Sequence, residues 1–191
     1  MCKLMKIKLK KYKIVKSTND VAIKLIKKNV VDPTLIISKK QTAGRGRVGK
    51  KWDSKEGNLF MTIFFKLDQN KINFKQFAVL NAFLLRKLIS KKTSKNIMIK
   101  WPNDLLYQGL KFCGILQEVI KFNQFDYLLI GIGLNTNIAP KNKNFKSTCL
   151  KNITNRRVDN QKIVKNILTV YEKFLNQTQR MSFSEIRRKY K

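Results

Sequence analysis

The chain has no histidine among its 191 residues. This absence excludes Ser-His-Asp and Cys-His nucleophile systems, histidine general bases and histidine-ligated metal sites. The three cysteines (Cys2, Cys113 and Cys149) are widely spaced without a C-x-x-C pair, so neither a disulfide scaffold nor a zinc ribbon is expected. Acidic residues are also scarce, 11 against 42 Lys plus Arg, and their scatter argues against an acid-rich metal cage.

Long apolar runs are absent as well. No run approaches the roughly 18 residues of a membrane-spanning helix, and the first residues lack the apolar core of a signal peptide. Together with cysteines that are expected to stay reduced, this predicts a cytoplasmic protein with no membrane partner. Hydrophobic residues still make up 43% of the chain, which is enough for one ordinary core. We expect one domain over residues 1–180 and a short basic tail over residues 181–191.

The formal net charge of +31 raises the possibility of nucleic-acid binding. The lysines are spread evenly along the chain and arginines are few, so biased composition on solvated faces explains the charge better than a specific polyanion partner. We therefore expect no specific nucleic acid. A non-catalytic nucleic-acid-binding protein is the alternative of a different class, and its signature would be strongly salt-dependent binding.

Hydrophobic periodicity and turn residues predict the coarse secondary structure. They indicate strands over 6–16, 34–38, 58–67, 97–101, 111–120 and 127–134, and helices near 21–26, 74–92 and 161–177. The segments 41–57 and 142–157 are expected to be irregular. Strands cluster in the middle and helices flank them without βαβ alternation, which predicts an α+β fold with a mixed, largely antiparallel sheet.

The segment 41–52 (QTAGRGRVGKKW) concentrates glycine and positive charge in one loop. It matches a dinucleotide-binding G-x-G-x-x-G and nearly matches a P-loop, but no apolar helix follows, as either motif would require. What is left is a flexible loop with four cations (Arg45, Arg47, Lys50 and Lys51). Such a loop suits a phosphate, because arginine binds phosphate oxygens bidentately; the plain alternative is a solvated basic loop.

Three further segments stand out from the lysine-rich background. Residues 100–105 (KWPNDL) form a proline turn that places Asn103 beside Asp104, and residues 111–116 (KFCGIL) put Lys111 at the start of a buried-looking strand. Residues 131–137 (GIGLNTN) end the next strand with glycines and amides. Each segment taken alone is equally compatible with an ordinary turn or strand end.

Together with residues 17–19 (STN), these segments in this order resemble the catalytic domain of biotin–protein ligases. The resemblance covers residues 10–140 and continues loosely to about residue 177. It implies a fold akin to class II aminoacyl-tRNA synthetases. It also implies an enzyme that makes biotinyl-5′-AMP from biotin and ATP with Mg²⁺, and then transfers biotin to one lysine of a carrier domain. That partner would be the biotin carboxyl carrier domain of a carboxylase such as acetyl-CoA carboxylase, and a homodimer is possible.

The resemblance also implies roles for individual residues. Arg47, Lys111 and Asp104 would be catalytic, and Asp104 would meet the carrier lysine or the metal. Biotin would be bound by a set that includes Arg47 and Lys111 together with Ser17, Thr18, Asn19, Gln41, Gly44, Arg45 and Gly46. The ATP or adenylate would be bound by Arg45, Arg47, Lys50, Trp52, Asn103, Lys111 and Asn135, with Trp52 stacked on adenine and Asn135 at its edge.

Three departures from the family pattern bear on these expectations. Few residues precede the first predicted strand, so we expect no N-terminal DNA-binding domain and no repressor function. A C-terminal SH3-like domain is also expected to be missing, and Lys50 stands where arginine is common. A lipoate or octanoate ligase on the same fold is the nearer alternative, but its R-R-x-[ST]-G-G-G loop and the histidine-bearing segment that follows it are absent.

Overall fold

The structure is a computed structural model that describes residues 5–141, 146–178 and 180–190. Strands and helices alternate irregularly along the described residues. In chain order they are β1 (Lys8–Val15), α1 (Thr18–Lys27), β2 (Thr34–Gln41), β3 (Leu59–Lys66), α2 (Phe74–Thr93), β4 (Met98–Lys100), β5 (Asp104–Tyr107), β6 (Leu110–Phe122), β7 (Phe125–Leu134), α3 (Leu150–Thr154), α4 (Asn160–Thr178) and α5 (Phe183–Tyr190).

The strands form one sheet in the order β1-β2-β3-β7-β6-β5-β4. Only the β1–β2 pair is parallel among the described strands, and all other neighbours are antiparallel. The predicted mixed, largely antiparallel sheet with flanking helices is therefore confirmed. The tight β5–β6 turn at Gln108 and Gly109 has positive φ angles of 49° and 75°, which is typical of a hairpin connection.

Different helices pack on the two faces of the sheet. Successive side chains of a strand point to opposite faces, so Leu35 and Ile63 join the large core under α2, α4 and α5. Their neighbours Ile36 and Phe64 join a smaller cluster under α1. Because α1 is short, it covers only part of its face and leaves the rest of β6 and β7 open. Among the described residues, no helix has both the length and the apolarity needed to cross a lipid bilayer.

Two sequence expectations in the second half of the chain were wrong. The proline turn is confined to residues 101–103, and Asp104 is already the first residue of β5, a strand that the sequence analysis did not predict. Within 142–157, which was expected to be irregular, residues Leu150–Thr154 form α3; residues 142–145 lie outside the described part. Both elements are shorter than six residues, so hydrophobic periodicity cannot reveal them.

The C-terminal segment is also more ordered than a basic tail. A capping box begins α5: the Ser182 backbone N–H donates to the Glu185 carboxylate at 2.7 Å, and the Ser182 hydroxyl donates to the same oxygen. These bonds lower the pKa of Glu185. Ile186 is fully buried in the large core. The expected division of the chain at residue 181 stays a prediction; within the segment 181–191, Ile186 packs into the core.

We predict that Ile186, the fully buried side chain of α5, is needed for full stability. Ile186→Ala should lower the free energy of unfolding by about 2–5 kcal/mol, because it leaves a cavity in the core. Arg187→Ala on the exposed side of the same helix is the control and should change stability by about 0.5 kcal/mol or less. Equilibrium denaturation in urea measures both, and equal midpoints for Ile186→Ala and the wild type would show that α5 does not belong to the folded core.

Candidate active site

A cleft of about 760 Å³ opens on the sheet face that α1 leaves uncovered. Its floor consists of Gly114 on β6 and of Gly131 and Gly133 on β7. In the strand register Gly114 lies opposite Gly133, and Gly131 lies opposite Leu116. Their lack of side chains creates the space: a Cβ on Gly114 or Gly133 would lie less than 3 Å from the Trp52 indole. The trough therefore depends on glycine at these positions.

The glycine loop folds over this trough as a narrow hairpin. The Trp52 backbone N–H donates to the Gly44 backbone carbonyl at 2.9 Å, and the Gly46 backbone N–H donates to the Lys50 backbone carbonyl at 2.6 Å. Val48 and Gly49 at the tip have positive φ angles. No helix follows the loop in the described chain, which runs on to β3, so the dinucleotide and P-loop interpretations are wrong.

Polar groups line the end of the trough beside the N-terminus of α1. The Thr18 backbone N–H and side-chain hydroxyl both donate to the side-chain oxygen of Gln41 (Oε1), at 2.8 and 3.1 Å. The Gln41 side-chain amide donates to the Ser54 hydroxyl at 3.0 Å. Ser17 occupies the N-cap position of α1 without a side-chain capping bond, and it lines the cleft. Donors and acceptors thus meet at one end of the cleft.

Asn19 is buried and already hydrogen-bonded within the protein. Its side-chain amide donates to the Glu118 carboxylate, and its carbonyl oxygen accepts from the Thr62 hydroxyl. Thr62 also lies 2.8 Å from the Thr18 hydroxyl. The sequence analysis did not identify Thr62 or Glu118. Two signals were available in the sequence. Thr62 is the single hydroxyl residue of the apolar strand LFMTIFFK, and Glu118 is one of the few acids of the chain and lies within a strand.

Arg45 at the base of the loop lies between two carboxylates. One guanidinium nitrogen bonds to Asp20 of α1, and another lies 3.4 Å from Glu118 of β6. Partial burial lowers the pKa of Arg45, but the Asp20 hydrogen bond and the charges of both carboxylates raise it by more, so the net shift is upward. The carboxylates therefore stabilise the charged guanidinium where it lies.

Arg47 and Lys111 reach the cleft from opposite sides. Arg47 donates to the Asn103 side-chain oxygen at 3.2 Å, and Asn103 is fixed by its own bond to the Ile115 carbonyl at 3.0 Å. The Lys111 ammonium forms an ion pair with Asp104 at 2.8 Å, and both side chains are less than one-fifth exposed. The ammonium also lies 5.2 Å from the centre of the Trp52 ring.

Two of the predicted site residues, Asn135 and Gly44, do not line the cleft in the part of the chain that the structure describes. Asn135 is 2% exposed. It is buried behind the floor, where its amide donates to the Thr148 carbonyl at 3.2 Å and its Oδ1 has no partner. Gly44 borders the neighbouring outer side of the loop. The other predicted residues are brought together as cleft lining, and Lys100 and Lys146 join them as cations that the sequence analysis missed.

The cleft is strongly cationic. Of the described residues that line it, seven are Lys or Arg and Asp104 is the only carboxylate. No three Cys, Asp or Glu side chains of the described residues are grouped as metal ligands. Burial raises the pKa of the Cys113 thiol beneath the floor to about 12, so this cysteine is not a thiolate nucleophile. The arrangement therefore suits an anionic ligand and charge stabilisation rather than attack by a protein nucleophile.

Comparison with known proteins agrees with this architecture. The biotin/lipoate A/B protein ligase family matches residues 12–135. The chain belongs to this family. The solved biotin protein ligase of Aquifex aeolicus in complex with biotin and ATP is 30% identical, with a TM-score of 0.81 over 96% of this chain and 76% of that one. The ligase fold is therefore shared over nearly the whole length.

Curated members of the family are longer than this chain. The bifunctional ligase/repressor BirA of Bacillus subtilis (strain 168) is 32% identical over 167 residues, which cover 84% of this chain and 51% of BirA. The biotin–[acetyl-CoA-carboxylase] ligase of Mycobacterium tuberculosis is 28% identical over 148 residues, or 74% of this chain and 54% of that ligase. The chain thus spans about half the length of these relatives.

We predict that a side chain on the trough floor expels Trp52. In a Trp101→Phe background, where Trp52 is the only indole, Gly133→Ala should shift the tryptophan emission to longer wavelength, because the added Cβ displaces the ring toward water. Lys121→Ala, an exposed position at the far end of β6, should leave the emission unchanged. If both variants kept the parent spectrum, the contact between the indole and the floor would be refuted.

Proposed function

We propose that the chain is a biotin–protein ligase, which activates biotin with ATP to biotinyl-5′-AMP and transfers biotin to a lysine of a carrier domain. One observation carries this proposal: a single cleft with a glycine floor has a polar end at Thr18 and Gln41 and a cationic end at Arg47 and Lys111. Relatives named as biotin ligases, and a related structure that holds biotin and ATP, support the same substrates.

Biotin would lie along the trough with its ureido ring at the polar end. A cyclic urea offers two N–H donors and one strong acceptor. Ser17, Thr18 and Gln41 supply hydroxyl and amide groups, which can accept hydrogen bonds from the N–H groups and donate to the urea oxygen. The predicted biotin contact of Asn19 stays a prediction; its side chain is already bonded to Glu118 and Thr62, which favours a supporting role. The apolar rest of biotin would run beside the Trp52 indole, which covers Gly114 and Gly133, toward Lys111.

The first half-reaction joins two anions. A biotin carboxylate oxygen attacks the α-phosphorus of ATP, and the bond to pyrophosphate breaks as the mixed anhydride forms. Negative charge then builds on the α-phosphate oxygens, and Arg47 and Lys111 would offset it from fixed positions. Such a preorganised charge contact is worth about 2.7–4 kcal/mol in the transition state.

The rest of the nucleotide would lie toward the loop. Trp52, Asn103 and Lys50 are the cleft groups proposed to bind it. The predicted contact of Asn135 with adenine stays a prediction: its Oδ1 has no partner, but the side chain is buried outside the cleft lining. Mg²⁺ would accompany ATP and neutralise phosphate charge. A single carboxylate fits an ion that takes most of its ligands from phosphate and water, so Asp104 is the candidate protein ligand.

The second half-reaction needs a neutral amine. A free lysine has a pKa near 10.4, so few copies are neutral at pH 7. Asp104 is proposed to orient the incoming carrier lysine and accept its proton, at the point where the carboxylate already holds the Lys111 ammonium. The amine nitrogen attacks the biotinyl carbonyl carbon and AMP leaves. Asp104 would act as the proton acceptor without the help of a histidine, a residue that the chain lacks.

We further propose that the acceptor is the biotin carboxyl carrier domain of a carboxylase such as acetyl-CoA carboxylase, that the reaction takes place in the cytoplasm and that no specific nucleic acid is bound. The name of the Mycobacterium tuberculosis relative supports the acceptor. The cationic surface would also attract an acidic carrier domain electrostatically.

The direct test is labelling of a carrier domain by the purified chain with biotin, ATP and Mg²⁺. Lys111→Ala should slow labelling by about 100- to 1000-fold, because it removes a cation where charge develops. Lys121→Ala, an exposed lysine at the far end of the same strand, is the matched control and should label at the wild-type rate. Absence of labelling by the wild type, or labelling with lipoate in place of biotin, would refute the proposal.

A further inference from the structure

Arg45 is held by two of the few carboxylates in a chain with 11 acidic and 42 basic residues. Asp20 and Glu118 come from different elements, the first turn of α1 and the middle of β6, and they converge on a guanidinium that the loop supplies. Local sequence cannot create this arrangement, since the three residues are 25 and 73 positions apart. The fold itself brings them together.

These contacts belong to a longer series of hydrogen bonds that begins and ends in the glycine loop. From Arg45 it passes through Glu118 to Asn19, whose side-chain oxygen accepts from the Thr62 hydroxyl. The Thr62 hydroxyl lies 2.8 Å from that of Thr18, at the polar end of the cleft. Gln41 and Ser54 then lead back to the Trp52 carbonyl. The base of the loop on each side is thus tied to the groups proposed to hold biotin.

Electrostatics explain why the loop needs such ties. Arg45, Arg47, Lys50 and Lys51 lie within seven residues of one another, and their mutual repulsion favours an open loop. The two carboxylates oppose that repulsion at Arg45. The side chains of Arg45, Asp20 and Glu118 are 37%, 29% and 33% exposed, so salt should screen their attraction appreciably.

We propose that Asp20 and Glu118 are positioning residues, which hold Arg45 and thereby keep the glycine loop folded over the cleft before ligands arrive. Glu118 also fixes Asn19 and so connects the loop with the polar end of the cleft. The kinetic part of this inference rests on the proposed function, whereas the structural part concerns the ligand-free chain alone.

Glu118→Gln is the sharpest probe, because it removes the charge while keeping an oxygen that can accept from Asn19. Asp20→Asn is the second probe, and it leaves the bonds of Asn19 untouched. Asp32→Asn is the matched control: it makes the same change of charge in an exposed ion pair with Lys8, at the start of β1 and β2. All three variants are to be compared with the wild type as full chains.

Hydrogen exchange measured by mass spectrometry on the ligand-free protein tests the structural part. At low salt, amides of residues 44–52 should exchange about fivefold faster in Glu118→Gln and Asp20→Asn than in the wild type or Asp32→Asn. Added KCl should accelerate wild-type loop exchange toward the variant rate and affect the two variants less. Amides of β3 should exchange alike in every protein.

Unchanged loop exchange in both probes would overturn the inference. Faster exchange that extends through β3 would overturn it as well, since it would mean a general loss of stability. In labelling assays, the probes should raise the KM for biotin or ATP by more than they lower kcat. A wild-type chain that labels no carrier would refute the proposed function, and the exchange result would still decide whether Asp20 and Glu118 hold the loop.

Discussion

The crowding of positive charge over a floor without side chains is the constraint on which the site depends. Seven Lys or Arg residues line the cleft, and Asp104 is the only carboxylate among its described lining residues. Like charges so close together are unfavourable until an anion enters between them. The proposed intermediate, biotinyl-5′-AMP, and its precursors are such anions. The fold stabilises the arrangement through Asp20, Glu118 and Asp104, each of which pairs with one cation of the cleft.

The sheet supplies the rigidity that this arrangement needs. Lys111, Asn103 and the floor glycines belong to or adjoin β5, β6 and β7, which are paired on both sides over much of their length. The glycine loop instead rests on a few hydrogen bonds and ion pairs. A firm floor with a more loosely held cover suits an enzyme that must admit two substrates and then exclude water from a reactive anhydride.

Much of this could be predicted from sequence, because the informative residues stand in short, ordered motifs. The sheet with its helices, the loop around Arg45 and Arg47, and Lys111 at the start of a strand were all visible as local patterns. The partners of those residues were not, since Thr62 and Glu118 reach Asn19 only because α1 packs on the sheet, across more than 40 positions of sequence. The start of α5 had a readable capping box, but the burial of Ile186 depends on tertiary packing.

The central claim, that the cleft brings a biotin carboxylate and ATP together for adenylation, is tested most directly by biotin-dependent exchange of labelled pyrophosphate into ATP. This measurement needs no carrier domain and reports only the first half-reaction. The account predicts exchange with biotin, and little or none without a carboxylic acid or with lipoate in its place. No exchange at saturating biotin and ATP, or equal exchange with lipoate, would contradict it.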